Sequence, residues 1–221
     1  MKKITAIQAQ KRNRRRVNIE LDGEYAFSLD RLTAAWLSVD QQLSEDDITR
    51  LLDKDEREIA YARVLRYLGF RARSAQELDR FMQQKGFADD TRENILTRLR
   101  EEKLLDDGQF SADWIENRST FRPRSASLLR RELRQKGIHE DTLEQALTAA
   151  NLDEDALALN AGRRVASRYA GLDWEQFRKK LGDFLLRRGF SFDQIQTTTR
   201  LLWAEIGSDK QAHHLMEKRS N

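Results

Sequence analysis

The sequence contains no cysteine and only one proline, Pro123. Without a thiol, the chain cannot form disulfides, bind a metal through thiolates or use a cysteine nucleophile. Its ten glycines are scattered singly at helix stops and turns, so it has no glycine-rich phosphate loop. These absences exclude several classes of catalytic and nucleotide-binding site.

Long hydrophobic runs are also missing. No apolar stretch approaches the ~20 residues of a membrane-spanning helix, and the first ten residues, MKKITAIQAQ, lack the apolar core of a signal peptide. We therefore expect a cytoplasmic protein with no membrane contact.

Histidine is scarce, and its three positions indicate no site. His139 precedes a predicted helix, and His213 and His214 lie near the end of the chain, with neither metal-ligand spacing nor a paired nucleophile. We expect a protein that is not an enzyme, without a catalytic residue, metal or cofactor.

The composition favours several small cores beneath a solvated surface. Hydrophobic residues make up 39% of the chain and charged residues 35%, and the mean hydropathy is −0.78. An elongated helical array has this balance. Since the net charge is only +3, the local distribution of charge is more informative than the total.

An internal repeat is the main feature of the sequence. The segment RSASLLRRELRQKGIHEDTLEQALTAANL, from Arg124 to Leu152, has relatives before and after it, and the glycines they share are about fifty residues apart. Each glycine follows a basic residue and precedes an apolar one, which predicts a left-handed residue just past the end of a helix. The three glycines are Gly86, Gly137 and Gly189.

Polar residues predict where the helices of each repeat begin. The helix before each glycine should start at an N-cap residue, namely Ser74, Ser125 and Asp173. The helix after each glycine should start at an aspartate with a capping-box partner three residues later, namely Asp90, Asp141 and Asp193. One further helical segment precedes each pair, at Glu56 to Leu68, Phe110 to Asn117 and Ala156 to Tyr169.

These patterns predict a mainly α protein, a tandem array of three three-helix repeats preceded by a small antiparallel β-hairpin domain. The predicted boundaries are 1–55 for the β-hairpin and helix extension, 56–107, 108–154 and 155–206 for the repeats, and 207–221 for a polar, frayed tail.

The first segment predicts a three-stranded sheet. Asp22-Gly23 between alternating apolar residues is a strong hairpin signal, and Lys11 to Arg16 should form the other turn. A helix beginning near Asp30 should cover the sheet with Leu32, Trp36 and Leu37. A separate helix, Glu45 to Lys54, should be capped by Ser44 with Asp47.

Basic residues are the candidate binding residues. Between Arg118 and Lys136, seven basic residues accompany a single acidic one, Glu132. We predict a mostly uncompensated surface for phosphates or an acidic protein partner, formed by Arg118, Arg122, Arg124, Arg130, Arg131 and Arg134. Two further basic clusters stand out, Arg14, Arg15 and Arg16 on the hairpin turn and Arg178, Lys179, Lys180, Arg187 and Arg188 in the third repeat. The candidates are all three arginines of the first cluster and Arg178, Lys179 and Lys180 of the second, since Arg188 is explained by its place at the end of a helix.

The repeats resemble the RecX family, whose members regulate the RecA recombinase. The resemblance covers roughly residues 56–206 and is most specific in the segment LLDDGQFSADWIENR, where Phe110, Ala112, Trp114 and Arg118 occupy the matching places. The hairpin sequence LDGEYAFSL resembles the β extension of longer family members. Two departures are the loop Arg122-Pro123-Arg124, where the family often has Lys-Gly, and a third repeat without the Arg-Ser start.

The resemblance implies an all-helical, curved array of three-helix units that binds in the helical groove of the RecA filament on single-stranded DNA. We expect the protein to be a monomer. The resemblance also implies that binding blocks filament growth or favours disassembly, and so suppresses ATP hydrolysis and strand exchange. The basic residues named above would then contact RecA or DNA. It also implies a role in DNA repair, homologous recombination and the SOS response.

A second hypothesis stays open. The repeats could act like helix-turn-helix modules in a sequence-tolerant DNA-binding protein that works without RecA. A third hypothesis, a plain scaffold, would require that neither DNA nor RecA binds.

Overall fold

The structure is a computed structural model that describes the backbone of residues 1–219 and the side chains of residues 1–207. Its residues form two compact units, Met1–Leu105 and a second unit that begins at Asp106. The first unit contains a sheet and one three-helix repeat, and the second contains two repeats.

The first unit begins with an antiparallel sheet of four strands in the order β3-β2-β1-β4. The strands are β1 Lys2–Ala9, β2 Arg16–Leu21, β3 Glu24–Asp30 and β4 Gln42–Leu43. Asp22 and Gly23 both have positive φ, 53° and 90°, as the predicted two-residue hairpin requires. The sequence predicts only three strands because β4 is two residues long and shows no alternating pattern.

The prediction of a helix that begins near Asp30 is wrong. Only a 3-10 turn, Thr33–Trp36, forms there, and it leaves Leu32 80% and Trp36 86% exposed. The sheet is covered instead by helix α1, Glu45–Leu68, which packs Ile48 and Leu51 against the sheet core. The small core therefore closes without Leu32 or Trp36.

Helix α1 is continuous where two helices are predicted. Ser44 and Asp47 form the predicted capping box at its start, and no glycine or proline interrupts the chain before Leu68. Asp55, at the predicted boundary, is only 4% exposed. Its carboxylate accepts hydrogen bonds from Arg16 Nη2, at 2.9 Å, and from the backbone N–H of Asp30. This carboxylate ties the middle of α1 to strands β2 and β3.

Three consecutive helices form each repeat, as the sequence predicts. After α1 come α2 Ala75–Gln84, α3 Asp89–Glu101, α4 Asp107–Phe121, α5 Ala126–Gln135, α6 Glu140–Ala150, α7 Glu154–Ala166, α8 Trp174–Leu186 and α9 Phe192–Arg219. A 3-10 turn, Ser167–Tyr169, follows α7. Each repeat has its own core, and among the described residues no helix is both long and apolar enough to cross a membrane.

The glycine caps are confirmed in all three repeats. Gly86, Gly137 and Gly189 have φ values of 80°, 76° and 85°. The amide after each glycine donates to the carbonyl five residues earlier, and the glycine amide donates to the carbonyl three residues earlier. These two bonds define a Schellman motif, which ends the second helix of each repeat and turns the chain toward the third.

The N-caps predicted for the second helix of each repeat are confirmed, and those predicted for the third helix are wrong. Ser74, Ser125 and Asp173 each accept a hydrogen bond from the third backbone amide of their helix, as predicted. The predicted caps Asp90, Asp141 and Asp193 lie inside the first turn of α3, α6 and α9 instead. Carboxylates are favoured there by the helix dipole, so the same residue type fits both positions.

The last helix is longer than predicted. The backbone of α9 continues to Arg219, whereas the sequence predicts a frayed tail from Gly207. The side chains of His213 and His214 lie outside the described residues.

The structure predicts different costs for alanine at two of the cap glycines. A Cβ at Gly86 meets nothing within 4 Å, whereas a Cβ at Gly189 would lie 2.5 Å from Ser125 Oγ and 2.8 Å from Leu128 Cβ. Gly86→Ala should cost about 1–2 kcal/mol from backbone strain alone. Gly189→Ala should cost a further ~1–3 kcal/mol from overpacking. Denaturant unfolding followed by circular dichroism measures both losses, and equal losses would contradict the close approach at Gly189.

The buried carboxylate of Asp55 should matter more than its exposed neighbour. Asp55→Ala leaves Arg16 without its partner and should lower the free energy of unfolding by about 3 kcal/mol, as loss of one member of a buried pair does. Asp53→Ala, on the exposed side of the same helix, should change it by less than about 0.5 kcal/mol. Thermal unfolding of both variants tests the difference, and an Asp55→Ala protein as stable as the parent would show that this carboxylate does not hold α1 on the sheet.

Candidate functional site

Five arginines line one cleft of the second unit. The cleft has a volume of about 660 Å3. We call it the arginine cleft and define it by Arg122, Arg124, Arg131, Arg187 and Arg188 with Leu128, Glu132, Gln135 and Phe184. Glu132 is the only acidic residue in this lining.

The ends of two helices bring the arginines together. Arg122 is the C-cap of α4 and Arg187 the C-cap of α8, so both lie where the helix dipole favours a cation. Arg131 projects from α5, which begins three residues after Pro123. The cleft therefore combines residues of the second and third repeats.

Hydrogen bonds to backbone carbonyls fix this junction. The Ser125 N–H donates to the carbonyl of Arg188 at 3.1 Å, and Arg188 Nη1 donates to the carbonyl of Pro123 at 3.1 Å. Gly189 allows the approach, because any side chain there would meet Ser125 and Leu128. The third-repeat cap is thus also the contact that forms one wall of the cleft.

Arg164 strengthens the same junction from α7. Its Nη1 donates to the carbonyl of Phe121 at 2.5 Å and its Nη2 to the carbonyl of Thr120 at 2.7 Å. These carbonyls end α4, where the last turn of a helix leaves acceptors unsatisfied. Arg164 therefore holds the end of α4 that carries Arg122.

The single carboxylate of the cleft is already engaged. Glu132 Oε2 accepts from Trp114 Nε1 at 2.9 Å and from Arg118 Nε at 3.2 Å, and Arg124 forms an ion pair with the same side chain. Arg118 also lies over the Trp114 ring, 4.2 Å from its centroid. Arg118 and Arg124 are thus partly compensated, while Arg122, Arg131 and Arg187 have no carboxylate partner among the described residues.

The cleft arginines destabilise one another's charge. Burial lowers the pKa of Arg124 most, and three neighbouring guanidinium groups lower it further, those of Arg118, Arg188 and Arg122. Burial is also the main cause that lowers the pKa of Arg188, and the positive charges of Arg164 and Arg122 lower it further. Since arginine remains charged at neutral pH, the cleft holds crowded positive charge that an anion would relieve.

Guanidinium groups suit planar or tetrahedral oxyanions. Each offers several N–H donors in a fixed fork that matches a carboxylate or a phosphate. The arginine cleft can therefore bind phosphates of a nucleic acid or acidic side chains of a protein. The described residues contain no group of three or more potential metal ligands.

Arg130 and Arg134 do not belong to this cleft. Arg130 forms two hydrogen bonds with Glu144, at 2.5 and 2.9 Å, and Arg134 pairs with Glu140 at 2.5 Å. These carboxylates on α6 raise the pKa of both arginines, chiefly through the hydrogen bonds. The prediction of one mostly uncompensated surface is therefore wrong for this pair, because α6 supplies two acidic partners.

The basic cluster of the third repeat is divided. Arg178 pairs with Glu175 at 3.1 Å, one turn apart on α8, and Lys179 and Lys180 are exposed. Arg178 and Lys179 line a separate groove of about 870 Å3 between α8 and α9. They are not part of the arginine cleft.

The hairpin-turn cluster also divides. Arg14 and Arg15 are exposed in the connection between β1 and β2. Arg16 instead begins β2 and bonds Asp55 and Ser28. Arg16 therefore stabilises the first unit, and only the other two arginines are available to a partner.

No sequence pattern indicates Arg164 as a site residue, and Arg187 and Arg188 stand out as basic but are not among the predicted site residues. Arg187 and Arg188 stand in a basic run, but the position of Arg188 before a cap glycine is explained by the helix dipole alone. The hydrogen bonds of Arg188 with Ser125 and Pro123, and the close approach of Gly189 to Ser125, show that this cap faces the second repeat. No local pattern could have revealed it.

Four family models match successive parts of the chain. They are the regulatory protein RecX N-terminal domain at residues 2–44, the first three-helix domain at 60–99, the second at 106–147 and the third at 153–198. Together they cover more than half of the chain and follow the sheet and the three repeats in order.

Curated relatives and solved structures agree. Regulatory protein RecX of Bacillus licheniformis is 34% identical over 87% of this chain and 74% of its own length. That of Prosthecochloris aestuarii is 40% identical over 66% of this chain and 94% of its own. A crystal structure of regulatory protein RecX matches with a TM-score of 0.69 and 28% identity, covering 90% of this chain and all of the other. RecX from Lactobacillus salivarius shares the fold, with a TM-score of 0.58 and 22% identity over 67% of this chain. The chain belongs to the RecX family of regulatory proteins.

Proposed function

We propose that this protein is a negative regulator of RecA that binds the RecA filament on single-stranded DNA. Binding would block filament growth or promote disassembly, and so reduce ATP hydrolysis and strand exchange. Family membership supports the regulatory role, and the arginine cleft supports binding to an anionic partner. We propose that the protein acts by binding and not by catalysis, and that it does so as a cytoplasmic monomer.

The arginine cleft is the observation that carries the binding proposal. A filament on DNA presents phosphates and acidic side chains, and either would relieve the repulsion among Arg122, Arg124 and Arg188. Because the cleft lies at a junction of two repeats, its arginines come from both sides of the bound group. Such a site can hold an anion more firmly than a row of cations on one helix.

The first experiment measures DNA-dependent ATP hydrolysis by the cognate RecA. We expect strong inhibition when this protein is added at well below one molecule per RecA protomer, because a blocked filament end stops many protomers. Inhibition only near one-to-one binding would contradict end blocking and favour occupied protomers. No inhibition at any ratio would overturn the proposed function.

A second experiment compares two charge-matched double variants. Arg122→Gln with Arg131→Gln removes two unpaired cleft cations, and Arg130→Gln with Arg134→Gln removes two cations that are paired with α6. Losing charged hydrogen bonds to a bound anion typically costs about 1.5–3 kcal/mol each. The cleft variant should therefore raise the concentration for half-inhibition at least about tenfold, while the paired variant should stay within about threefold.

Circular dichroism and thermal unfolding provide the control for folding, because all four side chains lie outside the buried core. If the paired variant loses as much inhibition as the cleft variant, binding uses the wider arginine surface and not the cleft. If neither variant differs from the parent, the cleft is not the binding site.

The alternative function, sequence-tolerant DNA binding without RecA, rests on the same cleft. It predicts DNA affinity that falls steeply with salt and no effect on RecA in the ATPase assay. The two functions are therefore separated by the first experiment.

A further inference from the structure

The first unit exposes a tryptophan that its core does not use. Trp36 is 86% and Leu32 80% exposed, while the sheet core closes with Ala34, Leu37 and Leu43. An indole ring is a large apolar surface that usually finds a packing partner. Its exposure next to a second large apolar residue marks a candidate contact surface.

Basic residues come from two neighbouring segments of the chain, one of which leads to this tryptophan. Strands β2 and β3 pair Arg16 with Asp30, and the Arg31 N–H donates to the carbonyl of Arg15 at 2.7 Å. The connection between β1 and β2 and the segment leading to Trp36 therefore leave the sheet side by side. We call this region the Trp36 surface and define it by Lys11, Arg12, Arg14, Arg15, Arg31, Leu32 and Trp36.

The charge of the Trp36 surface is uncompensated. Its five basic side chains are exposed and have no carboxylate partner in the described part of the chain. Two carboxylates of this unit pair with other cations, Asp55 with Arg16 and Asp40 with Lys3. Asp30 contacts the surface itself, where its carboxylate accepts from the Leu32 N–H, so the five cations exceed it in charge. The surface is thus strongly cationic and includes an exposed aromatic ring.

Distance permits one ligand to reach both features. Arg31 lies five residues before Trp36, and a chain spans at most ~3.6 Å per residue, so the two backbones are no more than about 18 Å apart. Long arginine side chains extend into that interval. One short stretch of a polyanion with flat apolar groups could contact the cations and the indole together.

We propose that the Trp36 surface binds single-stranded nucleic acid, with a base stacked on Trp36 and the backbone phosphates held by Arg14, Arg15 and Arg31. Unpaired bases expose the faces that an indole stacks on, and cations beside them track the phosphates. A membrane or an apolar protein pocket fits less well, because only two of the seven residues that define the surface are large apolar side chains and little apolar area could be buried. The proposal is independent of RecA regulation, since no contact in it involves RecA.

The test uses the full-length protein, without RecA, and two fluorescent probes. One is a single-stranded oligothymidine of about 15 nucleotides, and the other is an abasic strand of the same length and charge. Fluorescence anisotropy should show tighter binding to the strand that carries bases. Trp36→Ala should weaken binding to that strand at least about fivefold, as loss of one stacked base does, and should leave binding to the abasic strand unchanged.

Three variants make the test specific. Trp36→Phe keeps an aromatic face and should retain most of the preference for bases. Tyr25→Ala removes another exposed aromatic of the same sheet, at the other end of β3 beside Glu24, and should have no effect. Arg14→Gln with Arg15→Gln should weaken binding to both strands alike, because it removes phosphate contacts.

Two results would overturn the proposal. One is equal affinity of the parent protein for the two strands, since no base would then be contacted. The other is a Trp36→Ala protein that keeps the parent's preference for bases, which would leave Trp36 for a protein partner. An unchanged melting temperature, expected from the exposure of Trp36, confirms that each variant is folded.

Discussion

The left-handed glycine that ends the second helix of each repeat is the constraint on which the repeat architecture depends. Only a residue without a side chain takes this conformation at no cost, and its amide then satisfies a carbonyl that the helix end leaves free. The next residue is thereby directed into the core, where Phe87, Ile138 and Phe190 are all buried. The same local device therefore sets the angle between the second and third helices three times.

Charge pairing then decides which arginines can act. Arg130 and Arg134 look in sequence like their neighbour Arg131, but α6 places a glutamate beside each of them. Arg131 lines the arginine cleft instead, together with Arg187 and Arg188 at the C-terminal end of α8. One short helix thus presents a neutralised face and a cationic face.

Much of the fold could be predicted because its signals are local. Glycine caps, serine caps and the Asp22-Gly23 turn each depend on a few adjacent residues, and they are where the sequence places them. The errors concern residues whose role depends on distant partners. The sequence predicts that Asp55 lies between two helices, but its carboxylate binds Arg16 from the middle of a single helix. It also predicts that Trp36 covers the sheet, but α1 covers it instead.

The candidate site was less predictable for the same reason. Arg122, Arg124 and Arg131 could be proposed from the excess of positive charge. Arg187 and Arg188 join them through long-range contacts between the repeats, namely the hydrogen bonds of Arg188 and the approach of Gly189 to Ser125. Arg164, which anchors the end of α4, is more than forty residues away in sequence. Contacts between residues of different repeats cannot be predicted from local patterns in one sequence.

The hydrogen bonds that join Arg188 to Pro123 and Ser125 have a thermodynamic consequence. Because both walls of the cleft are needed to surround an anion, a bound partner adds its own binding free energy to the cohesion of the two repeats. The folding equilibrium of the second unit and its occupancy are therefore linked quantities. Through this linkage, the strength of the junction between repeats sets part of the affinity for whatever the cleft holds.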